Sequence, residues 1–264
     1  MLRLKGCLLA SLLVAGMANA AQSGNYASDL AKQSNNPGAP LMQLTVQNTY
    51  SPENYAGDGG ANELQFQPVI PLPAFGILPW PSIARPSVPL ATSAGPAHET
   101  SLGDIELLYI LVPHLQAAFS WGFGAEFTFP TAGADSNGEG KWIGGPAAYL
   151  LATRGNLQFG AIARQRNSFA GESSREDISE MAVQPILQYN LNNGWYVSMG
   201  DFDWTFDWRD GGTTIPAAFQ VGRITSLGAH LYNLSVEGGY YLAHDGPGPR
   251  YSIRLGVSRL LPER

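Results

Sequence analysis

The charged residues best placed to act on a solute recur at every second position. Asp201 and Asp203 alternate with Phe202 and Trp204, and Asp207 extends the row opposite Phe206 and Trp208. Asp104 and Glu106 are spaced in the same way, as are Arg164 and Arg166. Arg250 and Arg254 keep the same parity, and Glu126 and Glu237 each stand alone between small or apolar neighbours. A period of two puts such residues on one face of a strand. Carboxylates on an open face attract cations, and guanidinium groups attract anions. Facing each other across an enclosed space, they neutralise one another instead. The chemistry on offer is charge sorting of small solutes or a lattice of ion pairs, and neither makes or breaks bonds.

Signatures of catalysis are missing. His98, His114, His230 and His244 fall in expected loops or turns and share no motif spacing. There is no H-E-x-x-H, P-loop, G-x-S-x-G or dinucleotide fingerprint, so neither a cofactor nor a metal site is expected. A hydrolase whose serine and histidine come from separate strands is the third functional class, behind a solute path and a non-conducting surface or structural barrel.

The elements that carry these charges are long strands. From Ala117 to Phe129, apolar or aromatic residues (Phe119, Trp121, Phe123, Ala125, Phe127) alternate with small or polar ones, including Glu126. An ordinary strand has about 5–6 residues, whereas strands that cross a membrane run about 9–11 with this alternation. A slip of one residue would move every charge into lipid, at about 2–4 kcal/mol for an arginine at the midplane. The charged parity therefore faces inward. The expected lumen lining is Asp104, Glu106, Glu126, Arg164, Arg166, Asp201, Asp203, Asp207, Glu237, Arg250 and Arg254.

About twelve strands are expected, over residues 41–50, 63–70, 78–90, 101–112, 115–130, 141–153, 157–166, 179–190, 195–208, 213–222, 231–243 and 250–261. The third carries Pro79, Pro81, Pro86 and Pro89, which remove backbone donors, so a local gap in pairing is expected there. Connections alternate between long polar loops, such as 131–140, and mostly tight turns, such as Asn192-Asn193-Gly194. This sorting predicts an all-β, transmembrane, antiparallel up-and-down barrel. Phe127, Phe129, Trp142, Phe206, Trp208 and Tyr240 fall near the expected outer ends. Tyr189, Trp195 and Tyr196 fall near the inner ends, as two interfacial girdles would require.

The chain opens with a basic Arg3 and Lys5, a short apolar run and Ala18-Asn19-Ala20, so residues 1–20 read as a cleaved signal peptide. The single cysteine, Cys7, leaves with it. Cleavage shifts the net charge from −6 to −8, which argues against nucleic-acid binding. Residues 21–40 read as a flexible periplasmic lead-in, with a short plug as the alternative, and 41–264 as the barrel.

The motifs resemble a known family. ELQFQPVIPL (63–72), SLGDIELLYILVP (101–113), FTFPTAG and GEGKWIGGPAA within 127–148, VQPILQYNLNNGWY (183–196) and the run from Tyr240 to Pro262 resemble the bacterial outer-membrane transporter family, also labelled the phenol-degradation MetA-pathway family. The resemblance covers about residues 41–262. It implies an outer-membrane barrel that moves small solutes, hydrophobic or aromatic compounds among them. The implied partners are outer-membrane lipid and lipopolysaccharide, the barrel-assembly machinery and the solute. The chain departs from barrel habit at its end, where Pro262-Glu263-Arg264 follows the last strand without a closing aromatic residue.

Overall fold

The structure, a computed structural model, describes residues 25–55, 59–94, 98–245 and 248–262. The expected signal peptide lies outside the described residues. The strand segments are β1 (Met42–Asn54), β2 (Ala61–Leu72), β3 (Ser82–Thr92), β4 (Thr100–Leu102), β5 (Ile105–Leu115), β6 (Phe119–Phe129) and β7 (Lys141–Arg154). They continue with β8 (Leu157–Gly171), β9 (Ser179–Asn190), β10 (Trp195–Ser198), β11 (Trp204–Asp207), β12 (Thr213–Leu227), β13 (His230–Ala243) and β14 (Pro249–Leu261).

Neighbours along the chain pair antiparallel, and β1 pairs with β14, so the sheet closes on itself. β4 and β5 both pair with β3 and form one interrupted strand. β10 and β11 both lie between β9 and β12 and form another. The result is a closed barrel of twelve strands. Closure of β1 onto β14 removes the free edge that an open sheet would carry, as a membrane demands of any sheet.

Side-chain parity follows the sequence. In β6, Phe119, Trp121, Phe123 and Phe127 are exposed on the outer wall, while Ser120, Gly122, Glu126 and Thr128 are buried inward. Leu150, Phe159, Leu187, Phe219, Val236 and Leu255 continue the outer apolar belt around the barrel. Trp142, Trp208 and Tyr240 are exposed at the end carrying the long loops, and Tyr189 and Trp195 at the end carrying both termini. Tyr196 departs from the expected girdle. It shares a strand with outward Trp195, so it must point inward, where it is 1% exposed and its hydroxyl lies 3.0 Å from Asn233 Oδ1.

Prolines reshape the third strand as the lost donors require. The segment starts at Ser82, which leaves Pro79 and Pro81 in a nine-residue connection, 73–81, at an end where the other turns are tight. The β2–β3 ladder pairs Phe66 with Val88 and Ile70 with Ala84 and is open between them. The constant register sets Pro68 opposite Pro86 there, and neither has an N–H to give.

The N-terminal segment is not a free lead-in. Residues 25–34 are helical and sit in the barrel mouth at the terminus-bearing end. Leu30, Ala31 and Leu41 pack against Tyr196, Ile224 and Leu260. Lumen glutamines fasten the helix's last turn: Gln158 donates to the Lys32 carbonyl at 3.1 Å, Gln188 to Ala31 at 3.2 Å and Gln43 to Ser34 at 3.0 Å. These bonds satisfy carbonyls that a helix C-terminus leaves without partners. Gly38 follows close to the wall, where a Cβ would lie 1.7 Å from the Tyr149 hydroxyl.

Candidate functional site

Among the described residues, three cavities lie in series along the lumen. A wide one of about 1170 Å³ opens at the loop end and includes Asp104, Glu106, Arg166 and Arg254 in its lining. A polar one of about 140 Å³ follows, lined by Glu63, Arg85, Glu126, Arg164, Asp201 and Asp203 among others. An inner one of about 130 Å³ ends on Ser34, Asn35, Asn36 and Pro37 of the N-terminal segment. Glu106, Asp203 and Arg254 line both the first and second, and Gln67, Arg85 and Gln184 line both the second and third.

The constriction is built by the break between β10 and β11. Met199 still donates to the Leu187 carbonyl at 3.0 Å, and residues 200–203 then leave the wall and fold inward, tied by their own backbone. Gly200, at φ 83°, permits the turn; a Cβ there would lie 2.3 Å from Glu237 Oε2. The Asp201 N–H donates to Glu237 at 2.8 Å, and the Asp201 carbonyl accepts from Arg254 at 3.0 Å. Gln184 donates to the Asp201 carboxylate at 2.5 Å, and Arg164 binds that of Asp203. This inward turn overturns the expected parity of one residue: Phe202 lies in the lumen beneath the Arg254 guanidinium, 4.4 Å away, and meets Tyr241 edge-on. Trp204, where the strand resumes, donates its indole N–H to the Pro216 carbonyl.

An ion-pair lattice spans the walls around this turn. Arg164 on β8 binds Glu126 on β6 at 3.0 Å as well as Asp203. Arg166 reaches Glu126 at 3.5 Å, Glu106 at 3.7 Å and, more closely, Glu180. Arg254 pairs with Glu237 at 3.1 Å and donates to Thr49 at 2.9 Å.

The expected lining residues therefore divide. Glu106, Glu126, Arg164, Arg166, Asp201, Asp203 and Arg254 come together in and around the constriction. Glu237 is buried behind Asp201 rather than facing open space. Asp104 lines the wide cavity but spends its carboxylate on the backbone of the 130–140 loop, accepting from Thr131, Ala132 and Glu139 at 3.0, 3.0 and 2.7 Å. Asp207 caps the 208–212 turn through the N–H groups of Arg209 and Asp210. Arg250 pairs with Glu53 at 2.8 Å on the exposed rim. The last three lie where strands end, and there the period of two gives way to local backbone demands.

Sequence reasoning passed over several lumen groups. Glu180 pairs with Arg166 at inward parity. Glutamines at inward parity, including Gln47 and Gln65, which bond each other, line much of the remainder. Arg85 is masked in sequence by the prolines around it. One wall of the inner cavity is apolar: Ile83, Leu108, Ile110, Tyr149 and Ile162 belong to a buried cluster that Val69 and Ile186 extend. At the rim, Lys141 donates to Asp177 at 2.9 Å, and this contact holds the exposed Asp177 carboxyl below its ordinary range.

No family model matches this chain, and no curated protein matches it. Solved structures do. An outer-membrane channel from Pseudomonas putida F1 superposes with a TM-score of 0.62 at 17% identity, covering 85% of this chain and 96% of that one. The KdgM porin, solved in complex with disordered oligogalacturonate, superposes with a TM-score of 0.51 at 12% identity, covering 83% of this chain and 99% of that one. At these identities the likeness is one of fold, so this chain folds as an outer-membrane β-barrel of porin-like architecture.

Proposed function

We propose that this barrel sits in a bacterial outer membrane and gives small solutes a passive path, hydrophobic or aromatic compounds among them. The observation that carries the reading is the continuous series of cavities from the loop-bearing mouth to the N-terminal segment. A barrel of eight strands is filled by side chains, and one of sixteen is an open channel; twelve strands here leave a lumen narrowed by one inward turn. In this reading the loops face outward, lipid and lipopolysaccharide surround the apolar belt, and the segment 25–40 closes the periplasmic mouth until it shifts. The resemblance to the phenol-degradation family fits the same assignment.

The test is single-channel recording of the refolded mature protein beside a variant that lacks residues 25–40. Discrete steps, larger or longer-lived in the truncated form, support the path. Silence from both, with folding verified by heat-modifiable gel mobility, supports a non-conducting barrel.

A lateral exit is a second reading, favoured by the open stretch of ladder at Pro68 and Pro86 beside the apolar inner wall. A disulfide from Gln67→Cys with Ser87→Cys closes that seam. Slower entry of a neutral aromatic supports lateral passage, and unchanged entry counts against it.

A further inference from the structure

Arg85 differs from every other arginine that lines these cavities. Arg164, Arg166, Arg175 and Arg254 each have a carboxylate within 4.0 Å, whereas among the described residues Arg85 has neither an ion-pair partner nor a hydrogen bond. Its charged neighbours are already committed. Glu126 and Asp203 bind Arg164, and Asp201 accepts from Gln184. Arg85 is half-buried, so its guanidinium gives up part of its hydration without gaining an anion in return, and that cost is recovered when an anion arrives.

The place where Arg85 stands specifies the rest of that anion. Its side chain lines the boundary between the polar cavity and the inner one. Beyond it, Val69, Ile83, Leu108, Ile110, Ile162 and Ile186 give the inner cavity an apolar wall. Amide and hydroxyl groups, including Gln188, Ser198 and Asn233, complete its lining. The volume, about 130 Å³, is close to the roughly 150 Å³ of an engineered protein cavity that admits benzene.

We propose that Arg85 is the anchor of a binding site for a small monocarboxylate with a compact apolar body, such as a single aromatic ring. The carboxylate sits in the polar cavity on the Arg85 fork, which matches its geometry with two parallel N–H···O bonds. The ring lies in the inner cavity against the isoleucine and leucine wall. A neutral ring compound gains only the wall, and an inorganic anion gains only the arginine. The assignment rests on the lumen being a solute path and names the solute class that path retains.

The test is calorimetric titration of the refolded mature barrel in detergent with benzoate, with benzyl alcohol as the neutral analogue, alongside conductance recording. Benzoate should saturate at one per barrel and bind about tenfold to a hundredfold more weakly to R85Q, with R85K intermediate, as loss of a charged hydrogen-bond donor requires. Benzyl alcohol should bind more weakly than benzoate and be indifferent to R85Q. L108Q keeps the arginine and spoils the wall, so it should lower benzoate affinity on its own and decides the matter if R85Q fails to fold. Equal affinity for both compounds, an undiminished R85Q or no benzoate binding by folded protein overturns the site. A barrel that conducts without binding benzoate rejects the site and leaves the channel. One that binds benzoate but stays silent even without residues 25–40 supports the site and rejects the channel.

Discussion

The substitution Arg164→Met asks whether the constriction is dry. Arg164 bridges Glu126 on β6 and Asp203 on the inward turn, and the side chains of Arg164 and Glu126 are only 7% and 4% exposed. Removing one partner of a buried pair strands the other charge, at about 3–5 kcal/mol. Glu126 retains Arg166 at 3.5 Å, which places the loss at the lower end, about 3 kcal/mol. The Asp203 limb is 39% exposed and adds no more than about 1 kcal/mol. Urea unfolding of the refolded barrel in lipid vesicles, followed by tryptophan fluorescence, measures the difference. Combining Arg164→Met with Glu126→Gln removes both charges together, so the pair should lose about 2 kcal/mol less than the sum of the single losses. A loss below about 1 kcal/mol with additive singles is the behaviour of a water-filled pore that screens its ion pairs, and it would refute the low-dielectric constriction inferred from burial.

Three other perturbations probe the rest of the molecule. Leu30→Ala empties a site that is 1% exposed at the heart of the N-terminal closure. At about 2–5 kcal/mol it should raise open probability in single-channel records at least tenfold, and unchanged gating would detach the helix from closure. Phe123→Arg puts a charge in the middle of the outer belt and should cost about 2–4 kcal/mol in the same unfolding assay. The Asp177 carboxyl is depressed by Lys141 in the folded state, so the tie it gives the 172–178 loop exists above the ordinary aspartate value of about 3.9 and is lost as pH falls through the lowered one. Proteolysis of that loop by an acid-active protease should therefore accelerate at the acid end in wild type, and Asp177→Asn should abolish the step.

The barrel wall was legible because lipid enforces a rule on every residue of a spanning strand. Phe119, Trp121 and Phe123 had to share a side, and Glu126 had to take the other, so parity alone located both surfaces. Legibility failed where the backbone leaves the wall. At 200–203 the alternation of Asp201, Phe202 and Asp203 reads as an unbroken strand, yet Gly200 lets the chain turn in, and Phe202 finds Arg254 in place of lipid. Asp104 and Asp207 kept the expected parity and took other work, because strand ends expose N–H groups that a nearby carboxylate can satisfy. Residues 25–40 defeated composition for a different reason. A polar, turn-rich segment cannot build a core of its own, but the lumen of a barrel supplies ready-made partners in Gln43, Gln158 and Gln188.

The lumen's two halves also explain why charge counting could not settle selectivity. Toward the loop end, Arg164, Arg166 and Arg254 are met by Glu106, Glu126, Glu180, Asp203 and Glu237, so their fields close on one another over a few ångströms. Such a lattice braces the walls and presents a passing ion with paired charges of both signs. What remains to discriminate among solutes is whatever the lattice leaves over. On the polar side that is Arg85, with the Glu63 carboxylate on the way to the loop end, and on the apolar side it is the wall from Val69 to Ile186, which faces a lumen whose other surfaces can hydrogen-bond. Asp201→Asn and Asp203→Asn should accordingly alter ion selectivity less than Arg85→Gln does, although the aspartates sit on the inward turn itself. A salt-gradient reversal potential measures the three together. A larger shift from the aspartates would mean that the lattice is open to passing ions and that selectivity resides in the carboxylates.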